Sequence, residues 1–135
     1  MFYIERFERL SEDRRPTTIK SLIVEFADLT SPTVGLCTVR SGKSPFIQID
    51  RTFWESASDA AKENLMFHEL GHCILIRGHK ETKSAGIPDS LMFPSLIPYH
   101  YEKDKRPYIN ELFSIYGDWS LSLTEVDHTW ICDHE

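Results

Sequence analysis

The sequence lacks the features that mark a membrane protein or a nucleic-acid-binding protein. No apolar run approaches the roughly 18 residues that a membrane-spanning helix needs. Basic residues are too few to give a cationic surface, since 15 Lys and Arg stand against 21 Asp and Glu, a formal net charge of −6 at pH 7. Nucleic-acid binding depends on cations that displace the counterions of phosphates. We therefore expect no nucleic acid and no membrane among the partners.

Cysteine is scarce as well. The chain has only Cys37, Cys73 and Cys132, with no CxxC pair. An odd number of cysteines at wide spacing predicts no disulfide framework and is compatible with a reducing compartment. The first 15 residues mix acids with bases and contain no small-residue cleavage site, so they do not resemble a secretory signal. These absences predict a cytoplasmic location if the chain is complete.

The chain contains no internal repeat, low-complexity tract or Gly/Ser linker, which predicts one domain over residues 1–135. A composition of 41% hydrophobic and 27% charged residues is typical of a globular chain with a core of its own. Runs rich in β-branched residues predict strands at 19–26, 34–40 and 45–50. Helical spacing of apolar residues predicts helices at 58–76 and 108–116, the second ended by Gly117.

The remaining segments are less regular. Residues 3–10 suit either a short helix or a strand, and the tail from Asp118 suits either a strand or a loop. Residues 77–107 are rich in Gly and Pro and predict mostly irregular chain, which is usually functional when it is this long and ordered. The whole pattern predicts an α+β fold, in which a small twisted mixed sheet packs on the helix at 58–76.

The informative motif is HELGH, residues 68–72. On a helix, His68 and His72 share one face with Cβ atoms about 5–6 Å apart, so both imidazoles can reach one metal ion. Glu69 projects about 100° away, which suits a base beside the metal rather than a ligand. A surface helix with two solvated histidines is the alternative, but it is less favoured because the motif falls on a predicted helix, as a metal site requires.

A catalytic zinc takes three protein ligands and keeps one position open. His79 is the best third ligand, but on an unbroken helix it would lie about 10.5 Å further along the axis than His72. The chain must therefore leave the helix by about residue 77, and we expect Gly78 to take the left-handed conformation that allows this. Two alternatives remain open: Gly78 is only a cap before a solvated His79, or Glu111 supplies the third ligand.

These motifs resemble the metzincin clan of zinc peptidases, whose long motif HExxHxxGxxH is followed by a methionine turn. Residues 68–79 match the first part, and Ser90-Leu91-Met92 resembles the Met-turn. A closer similarity is to a group of small metallopeptidases that read ID-x-x-FW, then FHELGHC-x-L-x-R-x-H, then SIM or SLM. This resemblance covers about residues 45–116. Leu75 stands where the clan has glycine, and the third histidine comes one residue later.

The resemblance implies a zinc-dependent endopeptidase with one catalytic Zn²⁺ on His68, His72 and His79. Glu69 would activate the zinc-bound water that attacks the peptide bond, and Met92 would support the metal site from below. The implied fold is a minimal metzincin-like α+β domain, with a Met-turn loop region and a C-terminal helix after the active-site helix.

An extended peptide or protein is the substrate that the resemblance implies. Residues 45–50 would form the edge strand against which a peptide pairs, with Phe46 and Gln48 in contact with it. The apolar loop at 93–101 would line the cleft through Tyr99 and Tyr101. The chain is expected to act as a monomer. The alternative function is a catalytically silent zinc-bearing domain that binds a protein partner through the same cleft.

Overall fold

The computed structural model describes residues 1–114 and 128–133. The fold is α+β, as predicted, with a four-stranded mixed sheet and helices packed against it. The helices are α1 (Phe2–Ser11), α2 (Arg51–Ser56), α3 (Asp59–Cys73), α4 (Pro98–Lys103) and α5 (Lys105–Leu112). The strands are β1 (Ile23–Ala27), β2 (Thr33–Val39), β3 (Phe46–Asp50), β4 (Lys83–Ser84), β5 (Ile87–Pro88) and β6 (His128–Asp133). None of the helices in these ranges has the length and apolar character required to cross a bilayer.

The main sheet has the strand order β1-β3-β2-β6. β3 runs parallel to β1 and antiparallel to β2, so it has a hydrogen-bonded neighbour on each side. The prediction that residues 45–50 form an edge strand is therefore wrong. A parallel neighbour is reached by a crossover rather than by a tight turn, and it leaves no turn signal beside β3 in the sequence. The sheet edges are β1 and β6.

Helix α3 lies at the centre of the molecule. Ser58 caps its first turn by accepting a hydrogen bond from the Ala61 N–H, and 13 of its 15 residues are buried. β2 and β3 cover one side of α3, where Ile47 and Ile49 of β3 are fully buried, while α1 and α4 pack on other sides. A helix enclosed all round holds polar side chains only where they have partners or a function. This places the HELGH motif inside the protein rather than on a surface helix.

A disulfide bond joins Cys37 of β2 to Cys73 at the end of α3, with 5.9 Å between the two Cα atoms. It contradicts the expectation, from the odd number and wide spacing of the cysteines, of no disulfide framework. The two residues are 36 positions apart, and only the packing of α3 on β2 brings them together. Stable disulfides are typical of oxidising compartments. The cysteine pattern therefore does not support the predicted location in a reducing compartment.

The segment after α3 is more regular than predicted, since it contains the β4–β5 hairpin and α4. α5 begins at Lys105, three residues before the predicted start, and Pro107 falls in its first turn. A proline there is tolerated, since the first N–H groups of a helix have no partner within the helix. The predicted helix end at Gly117 lies outside the described residues. Part of the uncertain tail forms β6.

Candidate metal centre

His68 and His72 point their Nε2 atoms at one another across 3.1 Å. Both side chains are fully buried. Each ring is held by a backbone carbonyl: His68 Nδ1 lies 2.6 Å from the oxygen of Leu91, and His72 Nδ1 lies 2.6 Å from the oxygen of Arg77. A carbonyl oxygen only accepts, so each Nδ1 carries the proton and donates it. This leaves the Nε2 lone pairs directed at one another.

The electrostatics of the pair favour a bound cation. Burial lowers the pKa of His68 to about 3 and holds the pKa of His72 well below its usual value, so both rings are neutral at physiological pH. Two neutral rings with both Nδ1 atoms protonated have no proton to share between their Nε2 atoms. A metal ion between the rings satisfies both lone pairs, and backbone carbonyls on the opposite nitrogens are the usual supports of histidine ligands.

His79 joins the pair, as predicted, but by a different backbone path. Its ring centroid lies 5.2 Å from that of His68 and 4.8 Å from that of His72. α3 ends at Cys73, and the residue with left-handed backbone is Ile76, at φ 54°. Gly78 has no positive φ, so its predicted role in the turn is wrong. A β-branched residue in this conformation is strained, typically at a cost of about 1–3 kcal/mol, and such strain is commonly found at functional sites.

Cys132 is the fourth member of the cluster, although it was not among the ligands predicted from the sequence. Its Sγ lies 3.2 Å from His68 Nε2 and 4.0 Å from His79 Nε2. The candidate ligand atoms of these three residues and His72 all lie within 4.8 Å of one another, so the group could hold a metal ion. Three imidazoles and one thiol form the nitrogen and sulfur donor set that zinc prefers. The unpaired third cysteine was the sequence signal for such a thiol.

Glu69 lies beside this cluster with a buried carboxylate. Neither Oε1 nor Oε2 has a hydrogen bond of normal geometry among the described residues, and the only donor near them is the weakly polar thiol of Cys132. Burial raises the pKa of Glu69 to about 8, and the nearby Cys132 thiol lowers it by a smaller amount. Space for the carboxylate exists because residue 35 on β2 is glycine, where a Cβ would lie 2.5 Å from Glu69 Oε2. Gly35 therefore belongs to the site, although its place in a predicted strand gave no sign of this.

The predicted Met-turn packs under the two helical histidines. Leu91 supplies the carbonyl that holds His68, and the Met92 N–H donates to Ser90 Oγ. The Met92 side chain is fully buried and lies directly against Gly71, where an added methyl group would overlap the sulfur atom. The glycine within HELGH is therefore the residue that allows α3 and residues 90–93 (the Met92 loop) to approach one another.

The Gly71–Met92 contact gives a testable prediction. Replacing Gly71 with alanine should lower the free energy of unfolding by about 1–3 kcal/mol, because overpacking a buried contact forces its neighbours to move. Met92→Ala should also destabilise, but the double variant should lose less than the sum of the two. Urea unfolding of all four proteins measures this coupling. Strict additivity would mean that the two residues do not meet in solution.

Glu111, the alternative third ligand, pairs with basic and hydroxyl side chains outside the cluster. The Arg77 guanidinium is fully buried and makes a bidentate pair with the Glu111 carboxylate, at 3.0 and 2.8 Å. Lys80 and the Ser90 hydroxyl donate to the same carboxylate. This network ties the chain on either side of His79 to α5 and to the Met92 loop. The geometry therefore assigns Glu111 to holding the loop of His79 in place rather than to the metal.

Two of the predicted substrate-contacting residues lie on the face of the sheet opposite the cluster. Phe46 and Gln48 alternate with Ile47 and Ile49 along β3, and the latter two fill the core beneath the sheet. Side chains alternate across a strand, so Phe46 and Gln48 point to the opposite face of the sheet. Their predicted role in the cleft is wrong for this reason.

The two tyrosines of α4 differ in their surroundings. Tyr101 is fully buried, and its hydroxyl donates to the Glu63 carboxylate, which also pairs with Arg6 and Lys105. Tyr99 is 66% exposed, with the Lys103 ammonium above its ring. The assignment of Tyr101 to substrate binding is wrong. The aromatic side chain that does contact the cluster is Trp130 of β6, stacked on His72 at 4.7 Å between ring centroids.

Comparison of the chain with protein-family models, curated proteins and solved structures finds no match. The function must therefore be argued from the geometry of the site.

Proposed function

We propose that this protein is a zinc-dependent endopeptidase of the metzincin-like type, with one Zn²⁺ on His68, His72 and His79. The observation that carries the proposal is the Glu69 carboxylate, which is fully buried beside the three histidines with no charged partner among the described residues and only the weak thiol donor of Cys132 near it. An unpaired buried carboxylate destabilises a fold, so a purely structural metal site has no use for it. A general base for hydrolysis needs such a group beside the metal.

Zinc bound in this cluster would supply Lewis-acid activation of water and of the scissile carbonyl. The chain's own residues account for the proton transfers. Glu69 accepts a proton from the attacking water and returns it to the departing amine, a base that becomes an acid in the second half of the reaction. A pKa raised toward neutrality suits both roles. The Leu91 and Arg77 carbonyls hold the imidazoles in the tautomer that leaves Nε2 free for the metal.

A second candidate, the catalytically silent zinc domain, is favoured by one observation. Cys132 completes a four-residue donor set, and structural zinc sites are closed in this way, whereas catalytic sites keep one position open. The unpaired Glu69 carboxylate weighs against this candidate. A peptidase needs the metal position that Cys132 would fill to be open, whereas a structural site needs it closed. The decisive experiment therefore starts from a Cys132→Ser protein.

The test is a peptide-library digest, read by mass spectrometry, with zinc-loaded Cys132→Ser protein and with Cys132→Ser/Glu69→Gln. We expect cleavage by the first, and a decrease of at least about a hundredfold on loss of the base. Zinc content should stay at one ion per chain in both. Cys132→Ser/Glu25→Gln, which changes an exposed acid of β1, is the matched control and should cleave normally.

Two outcomes would contradict the proposal. Cleavage that survives Glu69→Gln would mean that another base or a contaminant acts. Absence of cleavage by zinc-loaded Cys132→Ser protein would favour the silent domain.

A further inference from the structure

The last described strand, β6, lies across the mouth of the metal centre. It pairs antiparallel with β2 along one side, with Leu36 opposite Ile131 and Thr38 opposite Thr129. Along its other side the Leu96 N–H donates to the carbonyl of Asp133, where a parallel bridge joins Asp133 to Ser95. β6 therefore sits in a cleft whose two walls are β2 and residues 95–96, and it makes main-chain hydrogen bonds to both.

Alternate side chains of β6 enter the site. Trp130 is 7% exposed and stacks on His72, while Cys132 is fully buried with its Sγ 3.2 Å from His68 Nε2. Ile131, between them, is 60% exposed. Main-chain pairing with alternate side chains in pockets is the way in which a sheet edge binds an extended peptide. β6 thus has the geometry of a bound peptide, although it belongs to the same chain.

Cys132 also lies at the position that a catalytic zinc site keeps open for water. The three histidines form the three-ligand set of a catalytic zinc, whose fourth position is kept for water. Cys132 Sγ falls within the 4.8 Å group that they form, and Cys132 is paired in register with Gly35, the residue that lies against the Glu69 carboxylate. With a metal ion in the cluster, a Cys132 thiolate would take the position that water or a scissile carbonyl would need.

We propose that β6 is a built-in pseudosubstrate, which fills the peptide cleft between β2 and residues 95–96 and closes the fourth metal position with Cys132 Sγ. This inference rests on the proposed peptidase function. A substrate peptide enters only after β6 leaves, and it then pairs with the edge of β2 that β6 exposes. The occupant of the cleft is an extended polypeptide, which identifies the substrate class as unfolded or strand-forming peptide rather than a small molecule.

The first test is spectroscopic and independent of activity. Cobalt(II) replaces zinc in the 135-residue chain, and a thiolate-to-cobalt charge-transfer band in the near ultraviolet reports sulfur ligation. We expect this band in the wild type and its loss in Cys132→Ser, with one cobalt bound in each. The assignment is unambiguous because the other two cysteines form a disulfide. Ile131→Ser, one position away on the exposed face of β6, is the matched control and should retain the band.

The outcomes separate this inference from the proposed function. Wild-type protein that binds cobalt without the band would overturn the inference, while leaving the three-histidine site in place. Failure to bind cobalt at all would instead remove the zinc site and with it the proposed peptidase. A band in the wild type that persists in Cys132→Ser would also contradict the inference, since no other free thiol is present.

The second test asks whether β6 must leave. Thr38 and Thr129 face one another with hydroxyl oxygens 3.2 Å apart, and both are placed outside the metal cluster. In the Cys132→Ser background, Thr38→Cys and Thr129→Cys would allow a disulfide that fixes β6 to β2. We expect loss of peptidase activity on oxidation and its recovery on reduction. Cys132→Ser/Thr38→Cys, treated identically, controls for the native disulfide and should not change.

Equal activity of the oxidised and reduced double-cysteine protein would overturn the pseudosubstrate role. Mass spectrometry establishes in each case that the new bond has formed, so that a negative result is attributable to β6. Protection of the cleft should follow the same pattern: when β6 is fixed, amide hydrogen exchange along β2 should be slower than in the reduced protein.

Discussion

Replacing Glu111 with alanine should lower the free energy of unfolding by about 3–5 kcal/mol without removing the metal site. Arg77 has no exposed surface, and Glu111 supplies the only carboxylate that pairs with its guanidinium in the described part of the chain. Removal of one partner leaves a buried charge uncompensated, which typically costs this much. The remaining acceptors, the carbonyls of Glu111 and Leu112, cannot neutralise that charge.

The effect should depend on pH. Burial by itself raises the pKa of Glu111, but the hydrogen bonds from Arg77 and Ser90 outweigh it and hold the pKa below its usual value. A carboxyl whose pKa is lowered on folding stabilises the protein above its unfolded pKa, and that stabilisation is lost as the pH falls through the folded value. The destabilisation by Glu111→Ala should therefore be full at pH 7 and shrink in acid.

Chemical denaturation and zinc analysis together measure this prediction. Glu111→Gln keeps the shape and an acceptor for Arg77, so it should lose less stability, and Glu102→Ala controls for loss of an exposed acid. His79→Ala is the opposite case, with zinc affinity reduced and the metal-free protein little destabilised. If Glu111→Ala released zinc while His79→Ala retained it, Glu111 would be the ligand and our assignment would be reversed.

The core of the candidate site could be predicted because it depends on local geometry. The i, i+4 spacing of His68 and His72 brings their rings together on any helix, whatever surrounds it. The need to bring His79 back to them predicted an early helix end, and α3 does end before residue 77. The position of that turn was wrong, because the glycine preference for left-handed backbone pointed to Gly78. Ile76 takes this conformation instead, directly before Arg77, whose guanidinium pairs with Glu111 of α5.

Contacts between distant segments could not be predicted. Cys132 reaches the cluster only because β6 adds to β2, and a single pairing register of β6 sets which side chains face the metal. Gly35 and the Cys37–Cys73 bond likewise depend on how α3 packs across β2. Nothing in the local sequence shows which distant residue each of them meets. The strand predicted at 45–50 has nearly the bounds of β3. Its predicted place at the sheet edge was wrong because the pairing of β3 with β1 and β2 depends on contacts between distant segments.

The buried carboxylate of Glu69 gives the second large expected effect, a pH-dependent change in the free energy of unfolding of the metal-free protein. Burial raises its pKa from 4.5 in the unfolded chain to about 8. A carboxyl with a raised pKa favours the folded state while it stays protonated, so its contribution is full below pH 4.5 and is lost as the pH rises toward 8. Each pKa unit corresponds to about 1.4 kcal/mol. Glu69→Gln, which stays neutral, should therefore gain up to about 5 kcal/mol over the wild type by pH 9.

Urea unfolding of chelated wild type and Glu69→Gln, from pH 4 to pH 9, measures this difference. His68 and His72 also lose protons on folding over part of this range, but they do so in both proteins and cancel in the comparison. Zinc should reverse the trend, because a cation in the cluster favours the ionised carboxylate and lowers its pKa. A difference that does not change with pH in the metal-free protein would mean that Glu69 is solvated or paired. The buried, unpaired carboxylate would then no longer distinguish this site from a structural one.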